Sequence, residues 1–110
     1  MATDRPDFGR GVSYNELIVL HAISAGCRYG LEIMNHTRLS SGTVYPILRR
    51  FEADGLVSSA KEDPAEAFAA GRPARRLHEL TDVGDRVLSS AREELLRHQR
   101  EMGLAGPRGA

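Results

Sequence analysis

The sequence predicts a mainly α-helical protein with one small β-hairpin. Apolar residues recur at helical spacing in three segments of the first half, and again in a long segment near the end. Between them, two short strand-like segments flank a polar loop rich in alanine, glycine and proline, which is typical of a hairpin with a long tip. At 110 residues the chain can bury one modest core, so we expect a single folding unit.

Two helices are predicted in the first third of the chain. Residues 14–25 are apolar on most sides, as expected of a buried helix. Residues 29–37 form a second, short helix, whose core face we assign to Leu31 and Met34, with Ile33 beside them.

A third helix is predicted from the segment that follows Leu39. Either Ser40 or Ser41 is a suitable N-cap for it. Pro46 falls in or just after the first turn, where a missing N–H costs least, and Gly55 ends the helix. Its core positions at helical spacing are Val44, Leu48 and Phe51.

A hairpin and a long helix complete the prediction. Residues 56–60 and 76–80 read as two strands around a polar loop. Thr81 begins the last helix, which runs to about Met102. Three helices, a two-stranded wing and a long exit helix make a winged helix-turn-helix layout.

The expected domain organisation follows from these elements. Residues 1–12 are predicted to be a flexible N-terminal arm, and residues 13–80 a winged helix-turn-helix DNA-binding domain. Residues 81–103 are the C-terminal dimerisation helix, and residues 104–110 a disordered tail.

Composition and charge narrow the class of protein. The net charge is zero, but residues 38–78 carry seven basic against five acidic residues, with the arginines bunched at Arg49–Arg50 and in residues 72–76. No apolar run approaches the ~20 residues that a membrane span needs, and the N-terminus has no apolar signal core. The single Cys27 cannot form an internal disulfide and reads as a small packing residue. We therefore expect a cytoplasmic protein without membrane contact.

Catalytic and metal signatures are missing from the sequence. It contains no nucleophile–base pairing and no phosphate-binding loop. Its four histidines show no ligand spacing with cysteine, aspartate or glutamate. We expect no enzyme activity, no cofactor and no metal.

Four stretches of the sequence carry a family resemblance. LSSGTVYP at residues 39–46 leads into LRRFEADGLV at residues 48–57. Upstream, Tyr29-Gly30 opens the second helix. Downstream, Gly71-Arg72-Pro73 lies in the hairpin loop, and LTDVG at residues 80–84 joins the hairpin to the last helix. In this order and spacing, over about residues 14–90, they resemble the signature of PadR-like regulators.

This sequence departs from the family pattern in three places. The connection NHTRLS at residues 35–40 is shorter than usual. Leu77 and His78 stand where the returning wing strand usually carries a pair of tyrosines. The chain has no tryptophan, so the planar-ligand site that some relatives build on a tryptophan of the dimer helix is not carried over.

The resemblance implies a bacterial transcriptional repressor that is usually dimeric and is released from DNA by a small effector or a stress signal. The implied partner is double-stranded DNA with a pseudo-palindromic operator. A winged-helix module that binds another protein instead of DNA is the alternative, and the zero net charge keeps it open.

The start of the third helix is the first predicted DNA contact, because a recognition helix presents its N-terminal residues to base edges in the major groove. Hydroxyl groups there can bind phosphates or bases, Gly42 allows close approach of the backbone, and free N–H groups attract phosphate. The predicted contacts are Ser40, Ser41, Gly42, Thr43, Tyr45 and Arg49. Read alone, the Ser-Ser-Gly-Thr stretch is equally compatible with a simple helix cap.

The hairpin loop is the second predicted contact. An extended Gly-Arg-Pro is narrow, and the negative potential of the minor groove favours arginine. We therefore predict that Arg72, Arg75 and Arg76 contact the minor groove or phosphates. The alternative is an ordinary solvated basic loop.

The last helix carries a predicted dimer interface. A helix of about 22 residues spans ~33 Å, which is more than its own small domain covers, so the surplus apolar stripe is predicted to pack on a second copy. The stripe is Val87, Leu88, Ala91, Leu95, His98 and Met102. Two copies of His98 facing each other would repel when charged.

Overall fold

The computed structural model describes residues 11–103. The helices are α1 (Tyr14–Ser24), α2 (Gly30–Thr37), α3 (Ser41–Ala53), α4 (Pro64–Ala69) and α5 (Asp82–Glu101). The strands β1 (Val57–Lys61) and β2 (Arg76–Leu80) form an antiparallel hairpin, with Val57 opposite Leu80 and Lys61 opposite Arg76. The mainly helical class with a small hairpin is confirmed.

Helix α1 lies at the centre of the core. Ser13 caps it through a reciprocal pair of hydrogen bonds with Glu16, whose backbone N–H and side chain both take part. Val19, Leu20 and Ala22 are fully buried, as its uniformly apolar sequence predicts. Cys27 also packs in this core, and burial raises the pKa of its thiol.

Helix α4 is an element that the sequence prediction did not include. It lies in the wing loop, which we expected to be irregular. Asp63 caps it by accepting a hydrogen bond from the N–H of Ala65, and Pro64 occupies the first turn. Alanine and glutamate then favour a helix, and Ala67 is buried.

Two local predictions need correction. Leu31 is 57% exposed, so the core face of α2 is built on Ile33 instead. Pro46 is the sixth residue of α3 and thus lies just after the first turn, but a missing N–H is not without cost at this position. Its missing N–H therefore leaves the carbonyl of Gly42 without its usual helical donor.

A tight junction joins α3, the hairpin and α5. The turn after α3 passes through Gly55, whose φ of +79° suits glycine, and the N–H of Thr81 donates to the carbonyl of Leu56 at 3.0 Å. The Thr81 hydroxyl donates to the carbonyl of Gly55 at 2.6 Å and accepts from the N–H of Gly84 at 3.0 Å. A β-carbon on Gly84 would overlap with the carbonyl oxygen of Leu56, so this position requires glycine.

The first half of α5 belongs to the domain's own core, which corrects part of the predicted dimer interface. Val87, Leu88 and Ala91 are only 2–4% exposed, because the core cluster around α1 covers them. Leu95 is half-buried at the edge of that core, whereas Met102 is 65% exposed. Any surface left for a partner on this stripe therefore begins at Leu95.

The ends of the predicted domain plan fall mostly outside the described residues. Of the predicted arm, only Gly11 and Val12 are described, and Val12 packs against the core. The predicted tail at residues 104–110 lies outside the description. Within residues 11–103, no helix combines the length and hydrophobicity that crossing a membrane requires.

Candidate nucleic-acid interface

The N-terminus of α3 is exposed and its backbone donors are not capped by a side chain. Ser40 occupies the N-cap position in an extended conformation, but its hydroxyl makes no capping hydrogen bond and lies 3.4 Å from the hydroxyl of Thr43. Ser40, Ser41 and Gly42 are exposed, and Thr43 is half-buried. This first turn can therefore offer both hydroxyl groups and free N–H groups to a phosphate or a base edge.

Tyr45 follows on the same exposed side of α3 and rests on α2. Its side chain is 42% exposed, and its ring lies so close to Gly30 that a β-carbon there would overlap with the phenol. Gly30 is thus the residue that allows the tyrosine to lie where it does. This contact joins the Tyr29-Gly30 stretch at the start of α2 to α3.

The two consecutive arginines of α3 have different environments. Arg50 donates through Nη2 to the buried carboxylate of Glu16 at 2.7 Å, which ties α3 to the start of α1. Arg49 is exposed and makes no hydrogen bond or ion pair within residues 11–103. Of the pair, Arg49 is the cation available to a partner.

The wing arginines are held by acidic and aromatic side chains instead of extending freely into solvent. Arg72 donates to both carboxylate oxygens of Glu62, at 2.5 and 2.8 Å. The guanidinium of Arg75 lies 3.8 Å above the ring centre of Tyr29, and its backbone N–H donates to Glu62 at 3.1 Å. Arg76 is more exposed, with Nε 3.9 Å from a Glu52 oxygen.

Glu62 is the centre of this arrangement. The hydrogen bonds from Arg72 lower the pKa of Glu62 to about 2, with a smaller contribution from the N–H of Arg75 and against the opposing effect of burial. The carboxylate is therefore fully ionised in any physiological medium.

A groove of about 770 Å³ separates α3 from the wing, which is the β1–β2 hairpin with its loop. Tyr45, Leu48 and Arg49 line it from α3, and Tyr29 lines it from the start of α2. Residues 72–76 form its opposite wall. The structure thus brings Tyr45, Arg49 and the three wing arginines together around one groove, whereas Ser40 and Ser41 lie outside its lining.

His78 lies at the groove's inner end and is buried. Its Nδ1 has no hydrogen-bond partner within the described chain and lies 3.9 Å from a Glu52 oxygen. Burial lowers the pKa of His78, although the charge of Glu52 opposes that effect. The side chain is therefore neutral at pH 7. Within residues 11–103, no cluster of three or more histidine, cysteine, aspartate or glutamate side chains could hold a metal ion.

Three residues of this site could not be recognised as such from the sequence. Tyr29 and Gly30 belong to the stretches that resemble the family, but nothing in their spacing reveals that they support Arg75 and Tyr45. Glu62 carries no sequence signal at all, since an acidic residue in a polar loop is usually solvated.

The fold, together with the exposed first turn of α3 and the arginines of the wing, defines a winged helix-turn-helix protein of the kind that regulates transcription. The profile of the transcriptional regulator PadR-like family matches residues 19–90. The chain belongs to that family, and its family and fold relatives are regulators and not enzymes.

Individual relatives agree with this assignment. The transcriptional regulator Rv3488 of Mycobacterium tuberculosis is 40% identical over 65 residues, which are 59% of this chain and 55% of that protein. A PadR family transcription regulator from Clostridium difficile has the same fold, with a TM-score of 0.73 at 23% identity, over 83% of this chain and 96% of its own.

The PcaV regulator of Streptomyces coelicolor, solved with its natural ligand, has a TM-score of 0.69 at 22% identity, over 86% of this chain and 64% of its own. This chain therefore spans little more than half of Rv3488 and under two thirds of PcaV.

Proposed function

We propose that this protein is a sequence-specific DNA-binding repressor. The observation that carries the proposal is the pairing of an uncapped, exposed first turn of α3 with an arginine-bearing wing across one groove. In this arrangement α3 enters the major groove, and the wing reaches the adjacent minor groove or its phosphates. The groove between them is where a DNA strand would pass.

The division of labour at this surface follows from the chemistry of its two sides. Hydroxyl groups, Tyr45 and Arg49 on α3 can read base edges, since tyrosine and arginine reach past the backbone. The wing arginines contribute charge, which positions the duplex without selecting a sequence. Zero net charge is no obstacle to this function, because four arginines, Arg49, Arg72, Arg75 and Arg76, line one groove.

A homodimer is the proposed functional form. One winged-helix domain makes few base contacts, and a two-fold dimer doubles them on a pseudo-palindromic operator. The revised contact surface is the end of α5, where Leu95 is half-buried and His98 and Met102 are exposed. Val87, Leu88 and Ala91 support this surface from below as core residues.

Release from DNA by a small effector or a stress signal completes the proposal. The support is the groove itself, which is large enough for a small organic molecule and lies on the DNA-facing side. PcaV is a fold relative that was solved with a natural ligand. With chromosomal DNA as its partner, the protein would act in the cytoplasm.

Salt-dependent DNA binding tests this function. The affinity for DNA upstream of the protein's own gene and for a random duplex is measured by fluorescence anisotropy at several salt concentrations. We expect tighter binding to the upstream DNA, and a steep loss of affinity with salt on both duplexes. A module that binds only proteins would bind neither duplex, and that result would contradict the proposal.

The wing is tested in the same assay. Replacing Arg72, Arg75 and Arg76 with alanine should weaken binding to both duplexes and flatten the salt dependence. Because this change leaves Glu62 unpaired, Glu62→Gln is added to the triple variant. Arg86→Gln, an exposed arginine on α5 outside the groove, serves as a control for charge alone. Unchanged affinity of the wing variant at low salt would remove the wing from the site.

A further inference from the structure

The wing contains an anion-binding site that is already occupied by a side chain of this protein. Three hydrogen bonds converge on the Glu62 carboxylate: two from the Arg72 guanidinium and one from the backbone N–H of Arg75. A bidentate guanidinium with a backbone N–H beside it is the donor set that proteins use for phosphate groups. Glu62 therefore occupies donors that are also suited to a phosphate.

The position of this site matches the path of a DNA strand. Arg72 and Arg75 line the groove between α3 and the wing, whereas Glu62 is not part of its lining. Glu62 thus pairs with the arginines from outside the groove. About a third of each arginine side chain is exposed, and only 11% of Glu62 is.

The arrangement also leaves one donor unused. Nε of Arg75 is buried without a hydrogen bond, 3.6 Å from the Glu62 oxygen that already accepts from two other donors. A phosphate group spreads its acceptors over a wider, tetrahedral arrangement than a planar carboxylate. A phosphate oxygen could therefore accept from Nε of Arg75, a donor that the Glu62 carboxylate leaves without a hydrogen bond.

Resting on the proposed DNA binding, we propose that Glu62 is an internal phosphate mimic that competes with a DNA backbone phosphate for Arg72 and Arg75. In the free protein Glu62 keeps the wing arginines paired. On DNA, a phosphodiester takes over these donors and Glu62 turns to solvent. Non-specific binding is weakened as a result, because an ion pair must open before each wing arginine can bind a phosphate.

Glu62→Gln tests the competition. The variant keeps the size of the side chain and removes the charge that holds the arginines. We expect tighter binding to a random 20-base-pair duplex at each salt concentration, because the wing arginines no longer have to leave an ion pair before they bind a phosphate. The slope of log affinity against log salt should stay close to that of the wild type, because the same phosphates are neutralised. Glu66→Gln is the matched control, since it makes the same change of charge nearby, on an exposed residue with no side-chain partner in the described chain.

The outcomes separate the inference from the function on which it rests. Equal affinities of the two variants for the random duplex, or weaker binding by Glu62→Gln, would overturn the competition while leaving DNA binding intact. A wild type that binds no duplex would instead contradict the proposed function.

A wild-type measurement covers the case in which Glu62→Gln unfolds the wing. The ¹⁵N signals of the Arg72 guanidinium are followed while the same duplex is added. We expect them to shift as the partner changes from carboxylate to phosphate, and unchanged signals at saturation would overturn the inference.

Discussion

Tyr45 combines a contact to α2 with an exposed edge. Its ring rests on Gly30, yet 42% of the side chain remains exposed beside the groove. Thr43 lies two residues earlier, half-buried at the start of the same helix. Both side chains are placed by neighbouring elements and neither fills the core, so their removal should affect binding more than folding.

Alanine replacements test these two residues. We expect Thr43→Ala and Tyr45→Ala each to weaken operator binding by about 1–3 kcal/mol, the usual size of a lost base contact, with little change in melting temperature. Tyr45→Phe is the matched control for Tyr45, because it keeps the packing on Gly30 and removes only the hydroxyl. A large fall in melting temperature would instead mark these residues as structural.

His78 predicts a dependence of stability on pH. Burial lowers its folded-state pKa below the ordinary value of 6.5, so the unfolded chain binds more protons as pH falls below that value. The free energy of unfolding should therefore fall as pH drops from 7 through 6.5 toward the folded-state pKa. Thermal unfolding between about pH 7.5 and pH 5 measures this change.

A histidine variant isolates the contribution of His78. We expect His78→Asn to reduce the loss of stability at low pH. His36→Asn makes the same substitution at an exposed imidazole and serves as the matched control. A wild-type profile that is identical to that of His78→Asn would show that this histidine is not responsible.

At the scale of elements, the junction between α3 and α5 depends on a close backbone contact. Gly84 lies against the backbone of Leu56, where no β-carbon fits. The Thr81 hydroxyl donates to the turn at Gly55 and also caps α5 by accepting from the N–H of Gly84. We expect Gly84→Ala to lower the free energy of unfolding by about 1–3 kcal/mol, because backbone cannot move aside as a side chain can. Ser89→Ala on the exposed side of α5 is the control, and urea denaturation measures both variants.

How far each element could be predicted depends on how local its determinants are. The spacing of Val44, Leu48 and Phe51 predicted the buried face of α3 correctly, because helical periodicity is a local property. Helix α4 also has local signals, in Asp63 and Pro64, but a segment rich in alanine, glycine and proline is equally typical of an irregular loop.

Burial and pairing could not be predicted in the same way. The stripe on α5 was identified, yet periodicity cannot say whether Val87 faces the domain's own core or a partner. The pairing of Glu62 with Arg72 depends on how the hairpin brings residues ten positions apart together, which no local pattern encodes. The candidate contacts at the groove were therefore named from the sequence, while the groups that hold them were not.

At the scale of the whole molecule, α5 is divided between two tasks. Its first half completes the core, and its second half continues past Leu95 with little cover. A dimer formed through this end should respond to a charge placed there. Leu95→Glu should convert the protein to a folded monomer and abolish operator binding, because a monomer cannot bind both half-sites of the operator at once.

Sedimentation equilibrium and operator binding check this prediction together. Arg97→Glu, an exposed position on the same turn of α5, serves as a charge-bearing control. A wild type that is monomeric at tens of micromolar but still binds its operator would contradict the dimer.

The junction of Thr81 and Gly84 with the turn at Gly55 and Leu56 also constrains the DNA. It locks the end of α3 to the start of α5, so a dimer joined through α5 holds its two recognition helices at a fixed separation. One extra base pair between half-sites moves one of them by ~3.4 Å and rotates it by roughly 34° about the duplex axis. A protein without a hinge at this joint cannot follow that displacement. The dimer would therefore tolerate no change in the number of base pairs between the half-sites.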